Sequence, residues 1–358
     1  MSTLFDHVDF THGPAASNRF MLAPLTNQQS NSDGTLSDDE FRWLEMRAAG
    51  GFAITTTCAV HVQRNGQAFA GQLGCFDDSL LPGLTRLAGA LRSHGSIAIA
   101  QLHHGGNRAN PELIGGQPLC PSDDPEFNAR EMTAAEVEES VEAFIAAAAR
   151  CQKAGFDGVQ LHAAHGYLIC EFLSPETNKR TDKWGGTLEK RATFLMEVVR
   201  GVRERCGQDF HLGVRLSPER FGMVEDEAVQ FFAMLVDCGQ VDLIDMSLWD
   251  VFKESKHSDY QGRRLIDIFA ELPRGASRLA VAGRLYNGVD ALRAIKAGVD
   301  IVAIGRAAIS NHDFPNQVRR DPSFTMRETP IPVDVLRAEG LGEPFIDYMR
   351  TWRTFVGE

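Results

Sequence analysis

The sequence predicts an α/β protein built as a (β/α)₈ TIM barrel. Three observations carry this. Short apolar, β-rich runs alternate with longer helical patterns about eight times along the 358 residues, the cadence of parallel strands joined by crossover helices. No weak linker interrupts them, so the expectation is one domain over residues 1–358, with the barrel over about 19–312 and a C-terminal extension over about 313–358. A doubly wound sheet would carry a Gly-x-Gly-x-x-Gly turn after its first strand, and none is present.

The first strand is read at Arg19 to Leu22. Phe52 to Thr57, Ile97 to Leu102, Asp157 to His162, His211 to Ser217, Leu243 to Ser247, Leu279 to Gly283 and Ile301 to Gly305 follow. Each is the short apolar run expected of a strand in a buried parallel sheet. Helices fill the gaps. Ser37-Asp38-Asp39-Glu40 and Thr133-Ala134-Ala135-Glu136 have capping-box spacing. Thr133 to Ala154, Thr187 to Cys206 and Asn287 to Ala297 are helical patterns, and Gly155 and Gly298 stand where left-handed helix ends are expected. The longest interruptions, Gly105 to Met132 and Gly166 to Gly186, follow the third and fourth strands and should build over the active face. Glu343 to Val356 reads as a terminal helix or docking arm.

Strand side chains alternate between faces. If Ala98, Ala100 and Leu102 face the helices, Gln101 points inward; by the same parity so do Gln160 and His162, then Arg215 and Ser217. All fall near strand C-termini, the face on which barrel active sites sit.

Composition narrows the partners. The net charge of −12 argues against nucleic acid or an acidic membrane surface. No apolar run approaches ~18 residues, so no membrane span is expected. Met1 to His7 lacks the basic-then-apolar pattern of a leader. The seven cysteines are scattered, with no Cys-x-x-Cys pair; neither a disulfide framework nor a structural zinc site is expected, and a cytoplasmic location is.

The chemistry concentrates at His162-Ala163-Ala164-His165-Gly166-Tyr167, where two imidazoles and a phenol leave one strand end. Such groups can hold a carbonyl oxygen and supply a proton. Gly283-Arg284 follows the seventh strand, and Gly305-Arg306 opens a helix after the eighth; those two loops are the usual phosphate site of barrel enzymes. Gln101 and Arg215 either close an internal polar network or meet a planar polar ligand such as a flavin. His103 and His104 are either structural or in contact with substrate. A metal-dependent barrel hydrolase would use His162 and His165 with His103 or His104, but Asp245 is the one strand-end carboxylate to help it. A flavin-binding barrel without catalysis is the third reading.

Taken in order, these motifs resemble the old yellow enzyme family of FMN-dependent barrel oxidoreductases, closest to its thermophilic-like bacterial branch. The resemblance rests on Ala23-Pro24-Leu25-Thr26, Gln101-Leu102-His103-His104-Gly105-Gly106, the His162–Tyr167 hexapeptide, Phe172-Leu173-Ser174-Pro175, the loop Asn178 to Arg191, Val214-Arg215-Leu216-Ser217 and Ile304-Gly305-Arg306. It implies non-covalent FMN, NADH or NADPH as reductant, and reduction of activated C=C bonds in α,β-unsaturated carbonyl or nitro compounds. It implies roles by position. Ala23, Pro24, Leu25 and Thr26 would contact the flavin, with Thr26 near its C4 carbonyl and Thr57 on the same edge. Gln101 would bind the pyrimidine edge, Arg215 would lie near N1, and Gly283, Gly305 and Arg306 would hold the phosphate. His162 and His165 would bind the acceptor's carbonyl oxygen, and Tyr167 would give the proton. The chain departs from the family in four places: His165 replaces a frequent Asn, Thr26 a frequent Cys and Trp184 a usual Tyr, and Ser247-Leu248-Trp249-Asp250 is bulkier than expected. Trp249 would then narrow the flavin or substrate pocket. Tyr348-Met349-Arg350-Thr351-Trp352 resembles a segment that lends an arginine, here Arg350, to a neighbouring subunit's site, which implies a homo-oligomer, dimer or tetramer.

Overall fold

Eight parallel strands close on themselves in the computed structural model, which describes residues 3–358. Met1 and Ser2, the start of the stretch read for a leader, lie outside the described residues. The barrel strands are β1 (Phe20–Leu22), β2 (Ile54–His61), β3 (Ile97–His103), β6 (Gly158–Ala163), β7 (His211–Leu216), β8 (Leu243–Ser247), β9 (Arg278–Ala282) and β10 (Ile301–Ile304). Each pairs with its neighbour in sequence, and β1 pairs with β10 to complete the ring. Two short strands, β4 (Leu119–Cys120) and β5 (Arg130–Glu131), pair in the insertion after β3.

The parity reading holds. Ala98, Ala100, Leu102, Val159, Leu161, Leu212, Val214 and Leu216 join the outer apolar layer shared with the helices. Inside the barrel a separate cluster contains Met21, Ile54, Ile97, Ile99, Leu243, Ala280, Ile301 and Ala303. Val8 and Ala16 join that inner cluster, with Phe10 against it. They come from an N-terminal turn that pairs Val8 with Ala16 and plugs the barrel from the strand N-terminal side. Beneath it the buried Asp242 carboxylate accepts from His12 N (3.0 Å), His12 Nδ1 (2.8 Å), Leu212 N (2.9 Å) and Arg203 (3.1 Å).

The outer layer begins with α1 (Asp38–Ala49), α2 (Leu81–Ser93) and a short α3 (Pro111–Ile114), followed by α4 (Ala134–Lys153), α5 (Leu168–Leu173) and α6 (Leu188–Cys206). Then come α7 (Glu225–Asp237), α8 (Leu265–Ala270), α9 (Gly288–Lys296), α10 (Arg306–Ser310) and α11 (Phe314–Arg320), with α12 (Val333–Ala338) and α13 (Glu343–Arg350) after the barrel. Thr133 and Glu136 form both halves of the expected capping box, a cap contributing about 1 kcal/mol. The other expected box is half right. Ser37 caps α1 by accepting from Glu40 N (3.1 Å), but the buried Glu40 carboxyl turns to Asn27 (3.1 Å) and Ser30. A buried carboxyl needs several partners, and the loop after β1 supplies them. Gly155 and Gly298 have φ of +91° and +105°, as their helix-end placement predicts. Among the described residues no helix is long and apolar enough to cross a membrane.

Candidate active site

A cleft of about 740 Å³ opens over the C-terminal ends of the strands, within the size range of cofactor and ligand pockets. Its wall takes Ala23, Pro24, Leu25 and Thr26 from the end of β1, Gln101 from β3, His162 from β6, Arg215 from β7, and Gly283, Gly305 and Arg306 from the loops after β9 and β10. These were all singled out in the sequence. Strain concentrates here, as it does at functional sites. Among the described residues, five of the eight non-glycine residues with positive φ line the cleft: His165, Phe221, Trp249, Arg284 and Thr354.

A polar chain runs beneath the cleft. Gln101 Nε2 donates to Gln160 Oε1 (2.7 Å), and Gln160 Nε2 donates to Asp245 Oδ2 (3.3 Å). Arg215 Nε lies 3.2 Å from the same oxygen. So Gln101 and Arg215 do belong to an internal network. It is incomplete: Asp245 Oδ1 and Arg215 Nε have no hydrogen-bond partner, and the Arg215 contacts to Pro24 O and Ser247 Oγ are long, at 3.4 Å each. Burial raises the Asp245 carboxyl above its ordinary range, and Arg215 pulls the other way. An under-bonded guanidinium and a carboxamide at one end of the cleft fit the polar edge of a flavin.

The opposite end fits a phosphate. Gly305 precedes α10, and Arg306 is exposed without an ion-pair partner among the described residues. Its guanidinium carbon sits 5.6 Å from the Tyr286 ring and 5.1 Å from that of Trp352. Gly283 is required by packing. Its φ is +150°, and a Cβ there would meet the backbone of Trp249 and Asp250 at 2.8 and 2.9 Å. Gly305 is different, because a Cβ would meet only Leu25 and Ala23 at 3.6 and 3.9 Å.

The hexapeptide turns back on itself after β6. His165 and Gly166 both take positive φ, +63° and +72°. Ser217 Oγ accepts from His165 N (3.1 Å), and Arg108 donates to His165 O (2.9 Å). This turn sets the His162 and His165 rings 5.0 Å apart and the His162 and Tyr167 rings 5.2 Å apart, all facing the cleft. His165 Nε2 lies 2.8 Å from Ser247 Oγ, and His162 Nδ1 has no partner. Burial, then the Arg215 and Arg108 charges, push His165 down to about 3. Burial, His165, His103 and Arg215 lower His162 as well. Burial raises the Tyr167 phenol. At neutral pH the cluster is therefore two neutral imidazoles and a protonated phenol.

Several expected residues lie elsewhere. Thr57 is fully buried, giving its hydroxyl proton to Cys58 O (2.7 Å) and accepting from Gln101 N (3.1 Å). The reason is a β-bulge between Thr56 and Ala59, which shifts the inward register; Ala59 lines the cleft instead. His103 and His104 are buried behind it. His103 Nδ1 meets Gln72 Nε2 at 3.1 Å and its ring packs 4.3 Å from Tyr167, while His104 Nδ1 accepts from Gly106 N. Neither lines the cleft, and the Nε2 of each has no hydrogen-bond partner among the described residues; among the described residues no three His, Cys, Asp or Glu side chains converge as a metal would need. Trp184 is wholly buried away from the cleft, its carbonyl bonded to Asn178 in the 178–191 loop. Trp249 stands at the rim, 54% exposed, with the Arg220 guanidinium 4.2 Å over its ring. Arg350 points outward and pairs with Asp347 at 2.5 Å. From the same segment Tyr348, Trp352, Arg353, Thr354 and Phe355 wall this chain's own cleft. Sequence reasoning missed these, and also Arg108, Phe221 and Tyr286. Arg108 could have been found as a basic residue in the insertion expected to cover the active face.

A family model described as the NADH:flavin oxidoreductase / NADH oxidase family matches residues 4–322. The chain is 36% identical over 335 residues to a probable NADH-dependent flavin oxidoreductase, YqiG, of Bacillus subtilis (strain 168), covering 90% of this chain and 87% of that one. It is 34% identical over 337 residues to an NADH:acrylate oxidoreductase of Vibrio harveyi; that match covers 90% of this chain but only 33% of the longer protein. Among solved structures it is similar to the old yellow enzyme homologue from Zymomonas mobilis, with a TM-score of 0.80, 26% identity, and coverage of 94% of this chain and 96% of that one.

Proposed function

The chain belongs to the NADH:flavin oxidoreductase / NADH oxidase family, that of old yellow enzyme, and from that premise we propose that it reduces the activated C=C bond of α,β-unsaturated carbonyl or nitro compounds. It is an NAD(P)H:flavin oxidoreductase whose cofactor is non-covalent FMN. The chemistry FMN supplies when bound is two-electron transfer, with hydride in from NAD(P)H and hydride out to the acceptor.

Ala23, Pro24, Leu25 and Thr26 would hold the cofactor on one side. Gln101 and Arg215 would bind its polar edge, and Gly305 and Arg306 its phosphate. Gly283 would shape that loop. His162 and His165 carry the clamp role. As neutral imidazoles they can each donate one hydrogen bond to the acceptor's oxygen, and donors fixed before reaction stabilise the charge that develops there. Tyr167 then supplies the proton to the α-carbon, its phenol being fully protonated at neutral pH. Trp249, Tyr348 and Trp352 narrow the mouth and limit water. A homo-oligomer, dimer or tetramer, belongs to the same reading, with Arg350 offered to a neighbouring copy; sedimentation tests it, and a monomer would remove that role.

The observation that carries the proposal is the convergence of neutral His162 and His165 with protonated Tyr167 in one cleft, opposite the unpaired Arg306. Purified holoenzyme should be bleached anaerobically by NADH or NADPH and reoxidised by enones, maleimides, nitroalkenes or quinones. Bleaching with no reoxidation by any of these would leave a flavin-binding barrel without this activity.

A further inference from the structure

Among the described residues the wall of the cleft carries five arginines, Arg108, Arg215, Arg284, Arg306 and Arg353, and no Asp or Glu. This is notable in a chain of net charge −12. Arg215 faces Asp245, and Arg284 lies 3.5 Å from Asp250. Arg306 stands at the phosphate end. Arg108 is at the other end, beside the proton donor, and has no ion-pair partner among the described residues.

Its surroundings hold it there. One guanidinium nitrogen donates to His165 O (2.9 Å). The guanidinium carbon lies 5.3, 5.7 and 5.9 Å from the rings of Phe221, Tyr167 and Phe127. A second nitrogen lies over Gly166, where a Cβ would approach it to 3.1 Å. Neither nearby acid forms an ion pair with Arg108 among the described residues, although the Arg108 charge acts on the buried Glu171 carboxyl, whose Oε2 has no hydrogen-bond partner. Asp124 accepts from Asn107 Nδ2 (2.8 Å), and Glu171 accepts from Asn107 N (2.9 Å). A half-buried guanidinium caged by aromatic rings, with donors unspent, is built to receive a planar anion.

Resting on the reading above, we propose that Arg108 binds a carboxylate of the acceptor, so that the favoured substrates are anionic: an activating carbonyl held by His162 and His165, and a carboxylate across the double bond. The reaction balances as NAD(P)H plus a proton plus the unsaturated acid giving NAD(P)⁺ and the saturated acid. The C=C π bond breaks and two C–H bonds form, one from the hydride and one from the Tyr167 proton.

Monomethyl fumarate and dimethyl fumarate separate the charge from the carbonyl. In wild-type holoenzyme, added salt should raise KM for the monoester and leave that for the diester nearly flat. Arg108→Gln should lower kcat/KM for the monoester by about ten-fold or more beyond any loss with the diester, and weaken binding of the product monomethyl succinate to oxidised holoenzyme similarly. Arg108→Lys should recover part of both. Equal losses with the two esters would mean that Arg108 only positions His165, and would overturn the proposal. So would a loss confined to NADH or NADPH binding, which would assign the cation to the nicotinamide nucleotide. If wild type reduces the diester and not the monoester, this inference falls and the ene-reductase reading stands. If NADH bleaches the flavin and neither ester reoxidises it, that reading falls and takes this inference with it.

Discussion

At the scale of residues the site is controlled by burial. His165 at about 3, and His162 lowered in the same direction, stay neutral through the whole neutral range. A folded-state pKa below the ordinary value means that the imidazole charges only as pH falls toward that low value, and the raised phenol deprotonates only in strong alkali. The acceptor half-reaction should therefore be flat between about pH 5 and pH 9. A rapid-mixing pH profile with an inflection near pH ~6.5, the ordinary histidine value, would contradict this. His162→Ala with His165→Ala should slow acceptor reduction by about 10²–10³ per donor lost, measured as the reoxidation rate with a fixed enone. The inward set Gln101, His162 and Arg215 was legible because strand parity needs only alternation. Thr57 was misplaced because the bulge between Thr56 and Ala59 has no sequence mark. Glu40 left its capping box because partners for a buried carboxyl come from tertiary contacts.

At the scale of elements, the two glycines that looked alike in sequence separate. Gly283→Ala would press a Cβ on the backbone of Trp249 and Asp250 at positive φ, costing about 2 kcal/mol; a lower melting temperature and weaker FMN retention are expected together. Gly305→Ala meets no close protein neighbour, so the apoprotein should keep its melting temperature while the FMN dissociation constant rises and the stabilisation by bound FMN shrinks. A variant that binds FMN as wild type does would remove Gly305 from the phosphate site. Strand and helix order were readable from period and caps. The insertion after β3 was placed over the active face and the C-terminal segment read as an arm, but which of their residues enter the cleft was not readable, since neither has a period. They supply Arg108 on one side of the cleft and Trp352 and Arg353 on another. The 178–191 loop works as scaffold. Its Asn178 and Arg180 bond backbone carbonyls of Phe172, Trp184, Pro121 and Met132.

At the scale of the whole molecule, the barrel divides stability from chemistry between its two ends. The plug end rests on Asp242, a wholly buried carboxylate with four donors around it. Asp242→Ala should destabilise by about 3 kcal/mol or more, since it strands Arg203 and His12 in the interior. Denaturant unfolding should show this while the flavin spectrum of the folded fraction is unchanged; a matching loss of FMN affinity would mean that the two ends are coupled. In the proposed function the chemistry end would rest on a clamp of two imidazoles and a separate proton donor, and anaerobic stopped flow on Tyr167→Phe tests it most directly. Reduction of the bound flavin by NADH or NADPH should proceed at the wild-type rate, while its reoxidation by an enone slows about 10²–10⁴-fold. Equal slowing of both halves, or an unchanged reoxidation rate, would contradict the assignment of Tyr167 as the donor.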